Sequence, residues 1–226
     1  MVAQGESVNG RARFYGQGDS MATIGIIGTG SVARAIATGL VGKGHHIVLG
    51  SREPSKARPP AGSTIASRED VVRDNDIVII AIPYGAVRDT VAAIGPSLFQ
   101  GKIVVDATNA LGPSGLAVGF TTSAAEELAK QVPGAQVVKA FNSVFARNMS
   151  TGRIGQDRLT LFVAGDDAEA RRIVMDLGRD IGFDPVEAGA LQVARYLEPM
   201  GVFMINLGYG LKMGPAIGLR LVRAGR

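Results

Sequence analysis

TIGIIGTGSVARAIATGL, residues 23 to 40, is the stretch that decides the fold. It begins as a continuous apolar run, passes through Gly28-Thr29-Gly30-Ser31-Val32-Ala33, and continues with Val32, Ala33, Ile36, Ala37 and Leu40 at three- and four-residue spacing. A strand that feeds through a Gly-x-Gly turn into an amphipathic helix opens a dinucleotide-binding βαβ unit. The flanking strand and helix are what make so short a glycine pattern specific. Gly28 lets the chain turn sharply, Gly30 lets backbone amides approach a pyrophosphate, and Ala33 is small enough for the helix to lie close to the sheet. The start of that helix then presents free amides and partial positive charge to the phosphates.

The same alternation continues outward. Apolar runs at 46 to 50, 76 to 82, 102 to 107, 135 to 141 and 159 to 165, with a weaker one at 183 to 188, are separated by helical patterns. Strands that are apolar throughout belong to a parallel sheet covered on both faces, so the expected fold is α/β, a Rossmann-type doubly wound, mostly parallel sheet. One helix is expected over 168 to 181, opened by Asp166 and Asp167 and closed by Gly182. Residues 1 to 21 read as a flexible N-terminal extension, 22 to 188 as the dinucleotide-binding domain, and 189 to 226 as a short helical C-terminal segment of the same compact unit. The uncharged stretch 199 to 211 is about 13 residues long, short of the roughly 20 that span a bilayer, so no membrane span is expected.

Composition narrows the function classes. Lys and Arg number 24 against 20 Asp and Glu, a formal charge of +4 in 226 residues. The excess is local: Lys212, Arg220, Arg223 and Arg226 form an acid-free tail, and Lys43, Arg52, Lys56 and Arg58 face only Glu53 in residues 41 to 60. There is no basic stripe interleaved with aromatics, so nucleic acid is not the expected partner. The absence of cysteine removes disulfides, thiolate metal sites and a thiol nucleophile, and no metal site is expected. The default compartment is the cytoplasm. Gly, at 31 residues, has about twice its usual share, as tight turns and close backbone approach to a ligand require.

The end of the second strand sets cofactor preference. A site for NAD places an acid there to bond the ribose hydroxyls. This chain has Gly50-Ser51-Arg52, with Lys56 one turn further on, and a guanidinium and an ammonium suit a 2′-phosphate dianion. NADP(H) is the expected cofactor. The loops at the reacting end are Ile82-Pro83-Tyr84, Thr108-Asn109-Ala110 and Phe141-Asn142-Ser143, and none carries a customary proton donor. His45 and His46 enter the second strand at its far end and read as structural, and no Tyr has a Lys four residues on. Lys139 lies within a strand and reads as a packed, snorkelling lysine. Ketone reduction leaves an alkoxide that needs an acid, whereas hydride exchange between two stacked heterocycles needs alignment and exclusion of water. The loops favour the second chemistry, with no certain catalytic residue.

TIGIIGTGSVARAIATGL, GSREPSK (50 to 56), IVIIAIPYGAV (77 to 87), IVVDATNAL (103 to 111), VVKAFNSVFARNM (137 to 149), LFVAGDD (161 to 167) and the closing ARYLEP and LGYGLKMGPAIGLRLVR together resemble the NADP-dependent oxidoreductases that use coenzyme F-420, an 8-hydroxy-5-deazaflavin. They are also similar to the reductase domain of the six-transmembrane metalloreductases. The resemblance implies a homodimer in which NADPH exchanges a hydride with a bound small-molecule co-substrate, a deazaflavin or a flavin. By position it implies that Thr29, Ser31 and Val32 hold the pyrophosphate and that Ser51, Arg52 and Lys56 hold the 2′-phosphate. It further implies that Ile82, Pro83, Asn109, Ala140 and Asn142 line the nicotinamide and acceptor site. The KAFN sequence at 139 to 142 is the form shared with the metalloreductase domain. On the C-terminal stretch Met200, Met204 and Leu207, at helical spacing with Phe203 and Leu211, are candidates for the acceptor wall or for core and dimer contact. Two other classes fit the same Gly-rich turn and Arg52: an imine or pyrroline-type NADPH reductase, which needs a large helical domain after the last strand, and a non-catalytic NADPH-sensing protein.

Overall fold

A computed structural model describes residues 22–112 and 115–224. The proposed N-terminal extension, residues 1 to 21, therefore lies outside the described residues. Eight strands form one sheet: β1 (Thr23–Ile27), β2 (His46–Ser51), β3 (Ser63–Ser67), β4 (Ile77–Ile80), β5 (Ile103–Asp106), β6 (Gln136–Lys139), β7 (Thr160–Gly165) and β8 (Asp184–Gly189). Their order is β8-β7-β6-β5-β4-β1-β2-β3. The strands from β3 to β6 run parallel, β7 is antiparallel to β6, and β8 is parallel to β7. The chain order reverses between β1 and β4, and a ligand crevice opens at such a switch point, beyond the carboxyl ends of the strands.

Among the described residues seven helices cover the sheet: α1 (Ser31–Val41), α2 (Arg68–Asp74), α3 (Val87–Ile94), α4 (Ala124–Gln131), the one-turn α5 (Ala146–Met149), α6 (Ala168–Ile181) and α7 (Ala194–Ile205). The inner strands are largely apolar because successive residues serve opposite layers. Ile77 and Ile79 of β4 join Ile36, Leu40, Ile173 and Leu177 on one face, while Val78 and Ile80 join Val91, Val104 and Leu128 on the other. α6 occupies the expected span, with the Asp167 carboxylate accepting from the Ala170 amide at 2.7 Å and Gly182 left-handed at its end.

Two features differ from the sequence reading. The edge strand β3 is additional; its STIAS sequence is half-buried and carries no apolar run. The C-terminal segment is helical only as far as Gly210, where a π-type turn over Asn206–Gly210 ends α7. Beyond it the chain is irregular, and it lies against the start of β7, where the Thr160 amide donates to the Leu219 carbonyl at 2.9 Å and the Leu221 amide to Thr160 Oγ1 at 2.8 Å. Glycines at 208, 210 and 214 and the donor-less Pro215 account for the loss of helix. No helix among the described residues is long and apolar enough to cross a membrane.

Candidate active site

The Gly-rich turn sits where β1 meets α1. Gly28 has φ 131°, and a Cβ there would lie 2.3 Å from the Ala81 carbonyl oxygen, so only glycine lets β1 pass the end of β4. A Cβ on Gly30 would meet nothing within 4 Å, which leaves open space over the start of α1. Gly30 is the N-cap and supplies no side-chain acceptor, so the first-turn amides carry no internal cap. Ala33 is fully buried against the sheet. These features fit a pyrophosphate. A cavity of about 380 Å³ joins Gly28, Thr29 and Gly30 to Ser51, Arg52 and Lys56. A groove of about 700 Å³ continues from Ser51 and Arg52 past Ile82 and Pro83 to α3.

The cations at the end of β2 are not equivalent. Lys56 reaches back to the Glu53 carboxylate, and both are solvent-exposed. Arg52 has no ion-pair partner among the described residues and faces the cavity. Ser51 Oγ accepts from the Glu53 amide at 3.1 Å, which fixes the turn after the strand.

Beyond the carboxyl ends of β5 and β6 the Asn109 and Asn142 loops lock together. Asn109 Nδ2 donates to the Asn142 carbonyl at 2.8 Å; Asn142 Nδ2 donates to Asn109 Oδ1 at 3.2 Å and to the Leu197 carbonyl of α7 at 2.7 Å. Phe141, between them and β6, has φ 68° and is held by burial against Phe183 at 6.0 Å, ring edge to face. Gly201 of α7 is pressed on the asparagine pair: its Cβ would lie 2.3 Å from Asn109 Oδ1 and 2.9 Å from the Asn142 carbonyl oxygen. Ala140 is completely buried and Met204 nearly so, and they support the site from the core instead of presenting surface to it. Met200 and Leu207 are half-buried on α7 and the turn that follows it.

Beneath the asparagines lies a group that the sequence reading misassigned. Lys139 does not snorkel; its side chain has 0% exposure, and Asp106 and Glu198 beside it have 1% and 0%. Its Nζ lies 2.8 Å from Asp106 Oδ2, the Thr108 carbonyl and Glu198 Oε1, so all three protons are engaged. Glu198 also accepts from the Ala124 and Ala125 amides at the start of α4, a favourable place for a carboxylate. Burial pushes the Glu198 carboxyl up, against the downward pull of the Lys139 ammonium. Asp106 and Lys139 end neighbouring strands in register, and opposite charges closing two apolar runs were the available sequence signal. His45 is buried with Nε2 3.0 Å from Asp180, and His46 is exposed at the start of β2, both remote from the crevice.

Tyr84 follows Pro83, and its hydroxyl donates to Glu127 at 2.6 Å; burial, with Glu127 beside it, pushes its pKa up to about 12. Neither Lys139 nor Tyr84 therefore has a proton free for the crevice.

Residues 23–110 match the family model of NADP oxidoreductases, coenzyme F420-dependent. The chain is 33% identical over 177 residues to the metalloreductase STEAP3 of Rattus norvegicus, covering 77% of this chain and 35% of that protein. It is 29% identical over 205 residues to the F420-dependent NADP reductase of Methanothermobacter marburgensis, covering 80% of this chain and 89% of that one. A crystal structure of a proposed F420-dependent NADP reductase from Arthrobacter sp. FB24 superposes with a TM-score of 0.81 at 29% identity, over 88% of this chain and 99% of that one. The chain spans about a third of the length of the metalloreductases it matches.

Proposed function

We propose that the chain, whose residues 23–110 match the model of the coenzyme F420-dependent NADP oxidoreductases, is an enzyme transferring a hydride between NADP(H) and a deazaflavin or flavin-type acceptor. The observation that carries the reading is a Gly-rich turn with uncapped amides beside an arginine that has no acid partner among the described residues. When bound, the nicotinamide supplies the hydride chemistry. The chain's own part is placement. Thr29, Ser31 and Val32 hold the pyrophosphate, Ser51, Arg52 and Lys56 the 2′-phosphate, and Ile82, Pro83, Asn109 and Asn142 the reacting end. The asparagine pair is rigid because α7 closes over it, and rigidity at reacting distance is the larger share of what such a reaction needs. The engaged protons of Lys139 and Tyr84 support hydride exchange over carbonyl reduction, which needs an acid.

The acceptor packs on the half-buried Met200 and Leu207 side of α7. The exposed Tyr196, Phe203, Tyr209, Leu211 and Met213 suit burial against a second copy of the chain, as a homodimer in the cytoplasm. Purified protein is to be mixed with NADPH or NADH and, separately, oxidised deazaflavin, FMN, FAD, ferric chelate and a cyclic imine, following cofactor absorbance. Deazaflavin or flavin turnover with NADPH is expected. Turnover of the imine alone, or preference for NADH, overturns the reading. Arg52→Ala should raise the NADPH KM much more than the NADH KM.

A further inference from the structure

Arg68, the first residue of α2, faces the same crevice and is absent from the sequence motif. β3 ends beside β2, so the start of α2 is carried to the end of the Gly50-Ser51-Arg52 strand. Gly50 makes the approach possible: a Cβ there would lie 3.3 Å from Arg68 Cα and 3.4 Å from its Cγ, so the stem of Arg68 lies close over that glycine. Its guanidinium is half-buried, and Nη1 donates to Thr90 Oγ1 of α3 at 3.2 Å. Nε is buried with no hydrogen-bond partner. Arg68 and Arg52 both line the 380 Å³ cavity and the adjoining groove.

The charge around this pair is uncompensated. Glu69, at the groove's rim, and Asp70 are both held by Arg73, and Glu53 is held by Lys56. Asp89 also lines the groove but is exposed and makes no ion pair with either arginine among the described residues. Burial, together with the neighbouring Arg52, pulls the Arg68 guanidinium below its ordinary value. Two guanidinium groups that repel one another in a shared cavity are stabilised by an anion between them, and an arginine fork matches phosphate oxygens in geometry.

We propose that Arg68 is a second reader of the 2′-phosphate, forming with Arg52 an arginine pair that closes on the dianion from β2 and from α2. This rests on the NADP(H) reading and assigns Lys56, already paired with Glu53, the smaller part. The consequence is that cofactor selectivity is divided between the βαβ signature and a residue about 16 positions beyond it.

The test uses the adenosine half of the cofactor, so that no acceptor is needed. Binding of 2′,5′-ADP and 5′-AMP, which differ only in the 2′-phosphate, is measured by calorimetry for the wild-type protein, Arg68→Gln and Arg68→Ala. Gln keeps a donor for Thr90 and removes the charge. The ratio of the two affinities should fall about tenfold or more in both variants, as the loss of a charge-assisted contact implies, while 5′-AMP binding changes less than twofold. Equal weakening of both ligands would show that Arg68 only props the site or stacks on the base, and that overturns the proposal. An unchanged ratio overturns it too and leaves the NADP(H) reading standing. No wild-type preference for 2′,5′-ADP removes that reading and this proposal together. The thermal midpoints of the ligand-free variants separate a binding loss from failure to fold.

Discussion

Replacing Lys139 with Met leaves Asp106 and Glu198 buried without their cation. The three side chains are 0%, 1% and 0% exposed, so water cannot take over, and three 2.8 Å contacts are lost at once. Removing one partner from a buried ion pair costs about 3–5 kcal/mol, against a typical total stability of about 5–15 kcal/mol. At 2–4 °C per kcal/mol for a chain of this size, the thermal midpoint should fall by about 6–20 °C. Burial already raises the folded pKa of Glu198 above its unfolded value, and losing the ammonium raises it further. The folded variant then holds a proton that the unfolded chain releases, so its stability is retained below the ordinary glutamate range and lost as pH rises through the folded pKa. Urea unfolding of wild type and variant from pH 5 to 8 should therefore show a deficit that widens with pH. Adding Glu198→Gln should recover part of it, because one of the two stranded charges disappears. As a control, Arg172→Ala breaks only exposed pairs with Glu169 and Asp176 and should cost less than about 1 kcal/mol. A Lys139→Met deficit no larger than the control, or one independent of pH, refutes the account of the buried triad.

Gly201→Ala drives a methyl group into the asparagine pair, which about 1–3 kcal/mol of overpacking relieves only by moving α7 outward. Hydride transfer should slow while 2′,5′-ADP affinity is unchanged, and a parallel loss of both would place the damage elsewhere. Tyr84 should ionise late, giving an absorbance step near pH 12 that Tyr84→Phe removes; its folded pKa is raised, so the associated stability is present below pH 10 and lost on the way to about 12. Identical titration curves for the two proteins would refute the Tyr84–Glu127 contact. Asp167→Ala removes the cap of α6 and should cost about 1 kcal/mol in urea unfolding without affecting NADPH binding.

The parts of the fold that were legible in the sequence are those in which one local rule acts alone. β1, the Gly28 turn and α1 are written in a single run, and α6 is bracketed by its cap and its closing glycine, so their limits hold to within a residue. β3 was illegible because a half-buried edge strand needs no apolar run and STIAS has none. The reversal of β7 was also hidden, since a buried strand carries the same apolar residues in either direction. Within the site, Arg52 could be read from its distance along the chain to the glycine turn. Arg68 could not, because its place depends on β3, the one strand of the main sheet without a readable pattern. Lys139 was misread for a related reason: a lysine that ends an apolar strand either reaches solvent or meets an acid, and the acid that decides the matter, Glu198, comes from α7 some 59 positions later.

α7 is where these separate readings join. Pro199 lacks an amide, so the Arg195 carbonyl one turn earlier is released from the helix and accepts the Phe120 amide at 3.4 Å. The Leu197 carbonyl accepts from Asn142, Glu198 completes the triad with Lys139 and caps α4, and Gly201 supplies the gap into which the asparagine pair fits. Four ties thus fall within seven consecutive residues, two of them on the asparagine pair and the others on Phe120 and on Lys139 with the start of α4. A segment attached this way cannot shift without moving Asn109 and Asn142. Under the proposed function the C-terminal stretch belongs to the reacting end, and a substitution on its buried face should alter hydride transfer before it alters cofactor affinity.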